Sequence, residues 1–291
     1  MKISGFTIIR NAVKNDYPIV EAITSILPIV DEMVVLVGDS DDETEDLIKN
    51  INSNKIKIHP SVWDQSLRQG GKVLAVETDK AFQLIDPDSD WAFYIQADEV
   101  VHEKYHHAII EACKKYKDDE RVQGLLFKYL HFYGTYDYVG DSRKWYNREI
   151  RIIRNNKAIT AYRDAQGFRI GTTKLPVKLI DAYVYHYGWV KSPKLMKQKM
   201  KNVSRFWNDD TDEWQQFLGS EDVFNYDDFD SLQKFTATHP EVMQKRVAEQ
   251  NWRLDIDITK KHFDLKDRFL YWFERKTGIR PFDFKNYTIV K

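Results

Sequence analysis

Apolar positions in the first half of the chain alternate between two spacings: short β-branched runs and stripes of helical period. Phe6-Thr7-Ile8-Ile9 is a β-branched run. Asp16-Tyr17-Pro18 reads as a helix start with a cap and an early proline, and Ile19, Ile23 and Ile26 then share one helical face. Met33-Val34-Val35-Leu36-Val37 is an unbroken apolar run, the pattern of a strand covered on both faces. Ser40 and Glu43 have the spacing of a capping box for the helix carrying Leu47, Ile48 and Ile51. Ile56-Lys57-Ile58 is a third strand, Lys72 to Ile85 a helix stopped by Pro87, and Trp91 to Ile95 a fourth strand. This βαβαβαβ order predicts a parallel sheet with helices on both faces.

Beyond about residue 120 the pattern changes. Leu125 to Phe132, Ile150 to Ile153 and Ala182 to Tyr187 read as strands between aromatic loops. Arg151 and Arg154 are expected on one face of their strand, pairing with Glu149 or Asp164 or contacting phosphate. From Pro193 the chain turns helical: Met196, Met200, Val203 and Trp207 share a face, and Thr238 with Glu241 has the spacing of a second capping box. The acidic run from Asp209 to Asp230 reads as a solvated loop region. The expected division is a catalytic α/β domain over 1–190 and a mainly helical extension over 191–291.

Composition narrows the picture. The 291 residues carry a net charge of -1, which argues against a protein built to coat nucleic acid. Aromatics reach 14%, read first as a large aromatic core and second as a cleft that stacks rings on bases or sugars. The one cysteine, Cys113, excludes an intramolecular disulfide and a Cys-based zinc site, and its neighbours place it on a buried helix face. The N-terminus is strand-like rather than signal-like, and the longest apolar stretch, Ile26 to Val37, is broken by Asp31 and Glu32. A cytoplasmic protein is the expectation.

In an open parallel sheet, ligands bind beyond the carboxyl ends of the strands. Polar clusters stand at three such ends: Arg10-Asn11, then Gly38-Asp39-Ser40-Asp41-Asp42-Glu43-Thr44, then Gln96-Ala97-Asp98-Glu99. Acids gathered there suit a divalent cation or the hydroxyls of ribose and sugar. Neither glycine-rich phosphate-loop pattern occurs, which disfavours a dinucleotide-binding dehydrogenase and a P-loop kinase. Arg68 and Lys72, flanking Gln69-Gly70-Gly71 at a helix start, are candidate diphosphate contacts; the other reading is a loop with two solvated charges.

These residues resemble the opening of family 2 inverting glycosyltransferases of the GT-A fold. Ser40, Asp42 and Thr44 match the S-x-D-x-T of that family's second strand end, and Asp39 is placed to take the role of an aspartate that contacts base or ribose. Tyr94 to Glu99 resembles the family's D-x-D-E segment, with Gln96 in place of the first acid. The resemblance covers roughly residues 3 to 190. It implies an α/β, three-layer α/β/α sandwich with a mostly parallel central sheet, a nucleoside diphosphate sugar as donor and a sugar or lipid-linked acceptor. It also implies a divalent metal, Mn or Mg, at Asp98, completed by His186 after the last sheet strand. With Gln96 one formal charge is lost, so weaker metal binding, or lysines and arginines sharing the load, is expected.

The acidic base is placed at Asp164 by the resemblance, with Asp141 as second choice; each also reads as a loop acid that caps a turn. His186 reads equally as a structural histidine, and His131 as a buried, satisfied one. Phe263 to Phe284 mixes aromatics with Lys and Arg. It reads first as a helix docked on the catalytic domain and second as a segment in a membrane interface, which would suit a lipid-linked acceptor and a peripheral location. Two other functions compete with sugar transfer. A nucleotidyltransferase usually has a glycine-rich loop after strand one, where this chain reads Arg10 to Asn15 with no glycine. A non-catalytic relative that only binds, or scaffolds other enzymes, would account for Gln96 and for Val37, which stands where the resembled family often has the aspartate that contacts base or ribose.

Overall fold

The computed structural model describes residues 1–64, 66–67, 69–206, 216 and 222–291. In chain order its elements are β1 (Ile3–Ile9), α1 (Ile19–Ile26), β2 (Glu32–Val37), α2 (Thr44–Lys49), β3 (Ile56–Pro60), α3 (Lys72–Gln83), β4 (Trp91–Tyr94), β5 (Glu99–Val101) and α4 (His106–Tyr116). They continue with β6 (Gly124–Gly134), β7 (Tyr138–Gly140), β8 (Arg148–Arg154), β9 (Ile159–Tyr162), β10 (Gly167–Ile170) and β11 (Thr173–Val190). Last come α5 (Pro193–Val203), β12 (Leu232–Lys234), α6 (Gln244–Ala248), α7 (Leu265–Thr277) and β13 (Tyr287–Ile289).

The sheet runs β3-β2-β1-β4-β8-β6-β11-β10-β9. β3, β2, β1 and β4 are mutually parallel, as the alternating order requires. β8 enters antiparallel between β4 and β6, and β11 lies parallel to β6. Strand side chains alternate between two cores. Ile3 and Ile9 of β1, Met33, Val35 and Val37 of β2, and Trp91 and Phe93 of β4 pack with Ile19, Ile23, Ile26, Ile48, Ile109 and Cys113 from α1, α2 and α4. Phe6, Ile8, Val34, Leu36, Ala92 and Tyr94 pack on the other face with Val73, Ala81 and Phe82 of α3. The α/β, three-layer architecture is therefore present. Burial on both faces explains why β2 reads as one apolar run.

Local details differ from expectation. α1 begins after Pro18 with no side-chain cap, and α2 begins at Thr44 after Glu43, also without one. The Ser40–Glu43 box does not form, because Ser40 Oγ accepts from the Asn11 amide instead. The Thr238–Glu241 box also fails: Thr238 Oγ1 meets His102 Nε2 at 2.9 Å, and a short 3-10 turn starts after Pro240 without a side-chain cap. Arg151 and Arg154, three apart, point to opposite sides of β8, as a period of two demands. Arg151 meets Glu99, whereas Arg154 donates to the carbonyls of Tyr116, Lys117 and Asp119 at the end of α4. Cys113 is buried on α4 as expected. Trp207 and most of the acidic run from Asp209 lie outside the described residues.

The chain after residue 190 returns repeatedly to the sheet. β12 pairs with β7, β13 pairs with β11, and Arg246 of α6 bonds Asp16 and Glu21 beside α1. Among the described residues no helix is long and apolar enough to cross a membrane.

Candidate functional site

A cleft of about 830 Å³ opens at the carboxyl ends of β1 and β4. It gathers Arg10, Asn11, Gln96, Asp98, Asp164 and His186 from the expected set, and adds Trp63, Tyr17, His131 and Lys199.

One wall is the loop after β1, laced to the loop after β2. Asn11 Oδ1 accepts from the Asp41 amide at 3.0 Å, Ala12 N donates to Thr44 Oγ1 at 2.7 Å, and Lys14 N donates to Asp42 Oδ2 at 2.8 Å. These bonds hold Asn11 at φ 53°, a left-handed conformation that costs energy outside glycine and persists where surrounding structure enforces it. Asp42 is thus used in the turn, with Oδ1 taken by Thr44, and it lies outside the cleft lining. Asp39 stands behind Arg10, whose guanidinium it holds at 3.0 Å. Gly38 allows Trp63 to close over this corner; a Cβ there would stand 2.5 Å from Trp63 Nε1. Arg10 Nη1 and Trp63 Nε1 are buried donors without an acceptor, both on residues of the cleft wall. Buried donors are rarely left so, and this pair suits the oxygens of a polar ligand.

The opposite wall is built around the turn from β4 to β5, where two adjacent acids diverge. Glu99 is sealed beneath the site. Arg151 Nε and Nη2 grip it bidentately at 2.8 and 2.7 Å, and Tyr129 Oη donates to it at 2.5 Å. Asp98 faces the cleft. Its Oδ1 lies 3.7 Å from His186 Nε2, and its Oδ2 lies 3.4 Å from the Lys199 ammonium. Burial alone would raise the Asp98 carboxyl; the charges of His186, Lys199 and Lys191 outweigh it and hold the group below the usual carboxylate range.

The protons on the two histidines follow from their partners. His131 Nε2 lies 2.8 Å from the Tyr146 carbonyl, which only accepts, so that nitrogen carries hydrogen. Burial pushes the His131 pKa well down, so the ring is neutral and its Nδ1 is an acceptor. His186 Nδ1, 3.3 Å away, therefore donates. Burial lowers the His186 pKa while the charges of Asp98 and Glu99 raise it, and in the neutral ring Nε2 is a lone pair turned to Asp98. A cation is one partner that both groups could ligate, and an imidazole fixed through its other nitrogen is the usual form of a metal-ligating histidine. Gly188 keeps the space open: a Cβ there would lie 2.5 Å from Asp98 Oδ2 and 2.8 Å from the His186 ring. Among the described residues no three His, Cys, Asp or Glu side chains form a complete cage. Two protein ligands suffice where phosphate oxygens and water fill the remaining positions.

Asp164 comes from the hairpin between β9 and β10. Its neighbours Arg163 and Ala165 both sit at positive φ, 57° and 61°, so the turn is strained on either side of the acid. Two bonds pin it: Gln96 Nε2 donates to the Ala165 carbonyl at 3.3 Å, and Arg151 Nη1 donates to the Gln166 carbonyl at 2.9 Å. A glutamine at 96 can make that bond, whereas a carboxylate cannot donate. A second groove of about 690 Å³, lined by Lys72, Asp79 and Arg163, shares Asp164 and Gln166 with the main cleft. Lys72 belongs to this groove and not to the cleft, and Arg68 lies outside the described residues.

Asp141 is elsewhere. Its Oδ1 accepts from Ser231 Oγ and its Oδ2 from Tyr271 Oη at 2.6 Å, so both oxygens are engaged in fastening α7 and β12 to the end of β7. Lys199 and the tautomer-setting role of His131 escaped sequence reading. Lys199 reaches Asp98 from across 101 positions, and no local motif marks such a contact.

No protein-family model matches the chain, and no curated protein matches it by sequence. It is similar in structure to S. aureus TarS 1-349 in complex with UDP-GlcNAc, at 16% identity over 75% of this chain and 70% of that one, TM-score 0.39. Against S. aureus TarS the identity is 16% and the TM-score 0.39, and the chain spans 42% of that protein's length. It is also similar to glucosyl-3-phosphoglycerate synthase from Mycobacterium tuberculosis in complex with Mn2+, UDP and phosphoglyceric acid, at 22% identity over 45% of this chain and 43% of that one, TM-score 0.30.

Proposed function

We propose that the chain transfers a sugar from a nucleoside diphosphate sugar to an acceptor hydroxyl, with inversion at the anomeric carbon. One observation carries the reading: the Asp98 carboxylate and the Nε2 of His186 face each other at 3.7 Å in a cleft that Asp164 also lines. The nucleoside end of the donor fits the corner of Arg10, Asn11 and Trp63, where two buried donors lack acceptors. Asp98 and His186 would hold a manganese or magnesium ion, which supplies positive charge to the departing diphosphate. Lys199 adds a second positive charge beside the same carboxylate.

In the transfer step Asp164 takes the acceptor hydroxyl proton. The acceptor oxygen bonds to the anomeric carbon as the bond from that carbon to the phosphate oxygen breaks, and the electron pair leaves with the nucleoside diphosphate. The second groove gives the acceptor its approach, because Asp164 and Gln166 border both cavities. The pinned hairpin keeps the base at fixed height above the donor site, which is what orientation contributes to rate. The setting is polysaccharide or glycoconjugate synthesis, in a cytoplasmic enzyme.

A panel of nucleoside diphosphates and their sugars, with and without manganese, tests the reading by thermal stabilisation. A ligand at about 100 times its dissociation constant adds about 2.7 kcal/mol. Stabilisation followed by slow release of free sugar, seen by proton NMR with the configuration of the first product, is the expected outcome. No shift with any member sinks the reading, and binding without turnover in either metal condition turns it into a binding protein.

A further inference from the structure

We infer that α7 and the turn after it form a docking surface for an anionic lipid bilayer. The inner side of α7 is fastened to the protein: Leu270 is buried, Tyr271 donates to Asp141, and Glu274 accepts from Arg143 at 2.9 Å. Its outer side is bare. Leu265, Phe269 and Trp272 recur at i, i+4 and i+7, one stripe of the helix, and all three are exposed. Gly278 ends the helix in a left-handed cap. The chain then presents Ile279, Phe282 and Phe284, also exposed. Phe282 is 93% exposed and sits at φ 61°, a conformation bulky residues avoid. A large aromatic held outward on a strained turn gains nothing from water. Its gain has to come from an apolar phase.

Charge selects the occupant. The exposed cations of this face are Lys266, Arg268, Arg275, Lys276 and Lys285. Of the nearby acids, Asp264 caps the helix on the Asp267 amide, Glu274 on the inner side is held by Arg143, and Asp283 is held by Arg280; Asp267 lies in the first turn. An apolar aromatic ridge with unneutralised cations along its flanks fits the headgroup region of a bilayer rich in anionic lipid. The surface is braced to the cleft. Arg280 Nη2 donates to the carbonyls of Arg143 and Trp145 at 2.8 and 2.7 Å, and Lys144, Trp145 and Tyr146 line the cleft. Docking would bring the cleft wall to the lipid surface, where an acceptor on a lipid carrier resides. That consequence rests on the sugar-transfer reading; the docking itself does not.

Cutting the segment away is a poor test, since β13 at its end belongs to the sheet. The full chain is sedimented instead with vesicles of phosphatidylcholine alone and of phosphatidylcholine mixed equally with phosphatidylglycerol, in the absence of nucleotide. Binding to the mixed vesicles only is expected. Trp272→Ser with Phe282→Ser lowers the partition about tenfold or more, and Phe282→Ser alone keeps the test usable if the pair fails to fold. Arg268→Gln with Lys276→Gln lowers it about fivefold per charge. The inference is overturned if the intact chain stays in the supernatant with the mixed vesicles, or if the double apolar variant sediments as the intact chain does. It is also overturned if these substitutions abolish self-association of a chain that ignores lipid, because the surface then belongs between two copies.

Discussion

Asp98 and Glu99 are neighbours in the chain and occupy opposite kinds of surroundings. On the cleft side, Asp98, His186, Lys199 and Asp164 stand with spare hydrogen-bonding capacity. On the sealed side, Glu99, Arg151 and Tyr129 have each found partners, and the Arg151 guanidinium lies between the Tyr94 and Tyr129 rings at 5.4 and 5.3 Å. One strand-end pair of acids thus splits into a group open to the cleft and a buried support. The support does more than fill space: Arg151 spans from Glu99 to the Gln166 carbonyl, so the buried ion pair also positions the hairpin that carries Asp164.

Substitutions on the two sides should fail in different ways. The largest effect is expected at Asp164. Asp164→Asn should slow transfer about 10²- to 10⁴-fold while leaving melting and nucleotide affinity unchanged; steady-state rates beside a binding titration separate the two. Unchanged turnover would move the base elsewhere. Next is Arg151→Met, which strands Glu99 as a buried charge and should cost about 3–5 kcal/mol of stability in denaturant unfolding. A cost below about 1 kcal/mol, the level of a surface pair, would mean the sealed side is not sealed.

Asp141 sharpens the contrast, because it was a candidate base and is placed among supports. Asp141→Asn should cost about 1–2 kcal/mol through its bonds to Ser231 and Tyr271, with turnover per folded molecule retained. A selective loss of turnover would put it back among the working groups. The smallest effect belongs to Asp79, whose carboxyl burial pushes up to about 6 although the Ala161 amide bonds it. Its folded-state pKa lies above the unfolded one, so the folded state holds the proton more tightly and stability falls as pH rises through about 6. Asp79→Asn should therefore melt higher than the parent at pH 7 and equal to it near pH 4, by no more than about 1–2 kcal/mol given its half-open position. An equal difference at both pH values would contradict the assignment.

The parallel half was legible because each of its strands is an apolar run that two cores bury, and because polar residues mark the strand ends. Arg10, Asn11, Gln96 and Asp98 could be read for that reason. What a strand-end acid does was not legible. Asp42 and Asp98 look alike in sequence, yet one closes a turn on Thr44 and the other faces the cleft, since their partners lie far apart in the chain. Glu99 finds Arg151 across 52 positions, and Asp141 finds Tyr271 across 130. Such pairings leave no period to detect. Arg151 and Arg154 failed for a simpler reason, a spacing of three read as though it were two.

On the sugar-transfer proposal, Asp98 and His186 form the cation-dependent half of a nucleotide-sugar site. It is tested most directly by titrating the best-binding nucleoside diphosphate into the intact chain and into Asp98→Asn, with manganese present and with it chelated. Manganese should tighten binding to the intact chain and have no effect on the variant, whose fold and metal-free affinity are retained. Equal tightening in both proteins, or no binding to either, would contradict it.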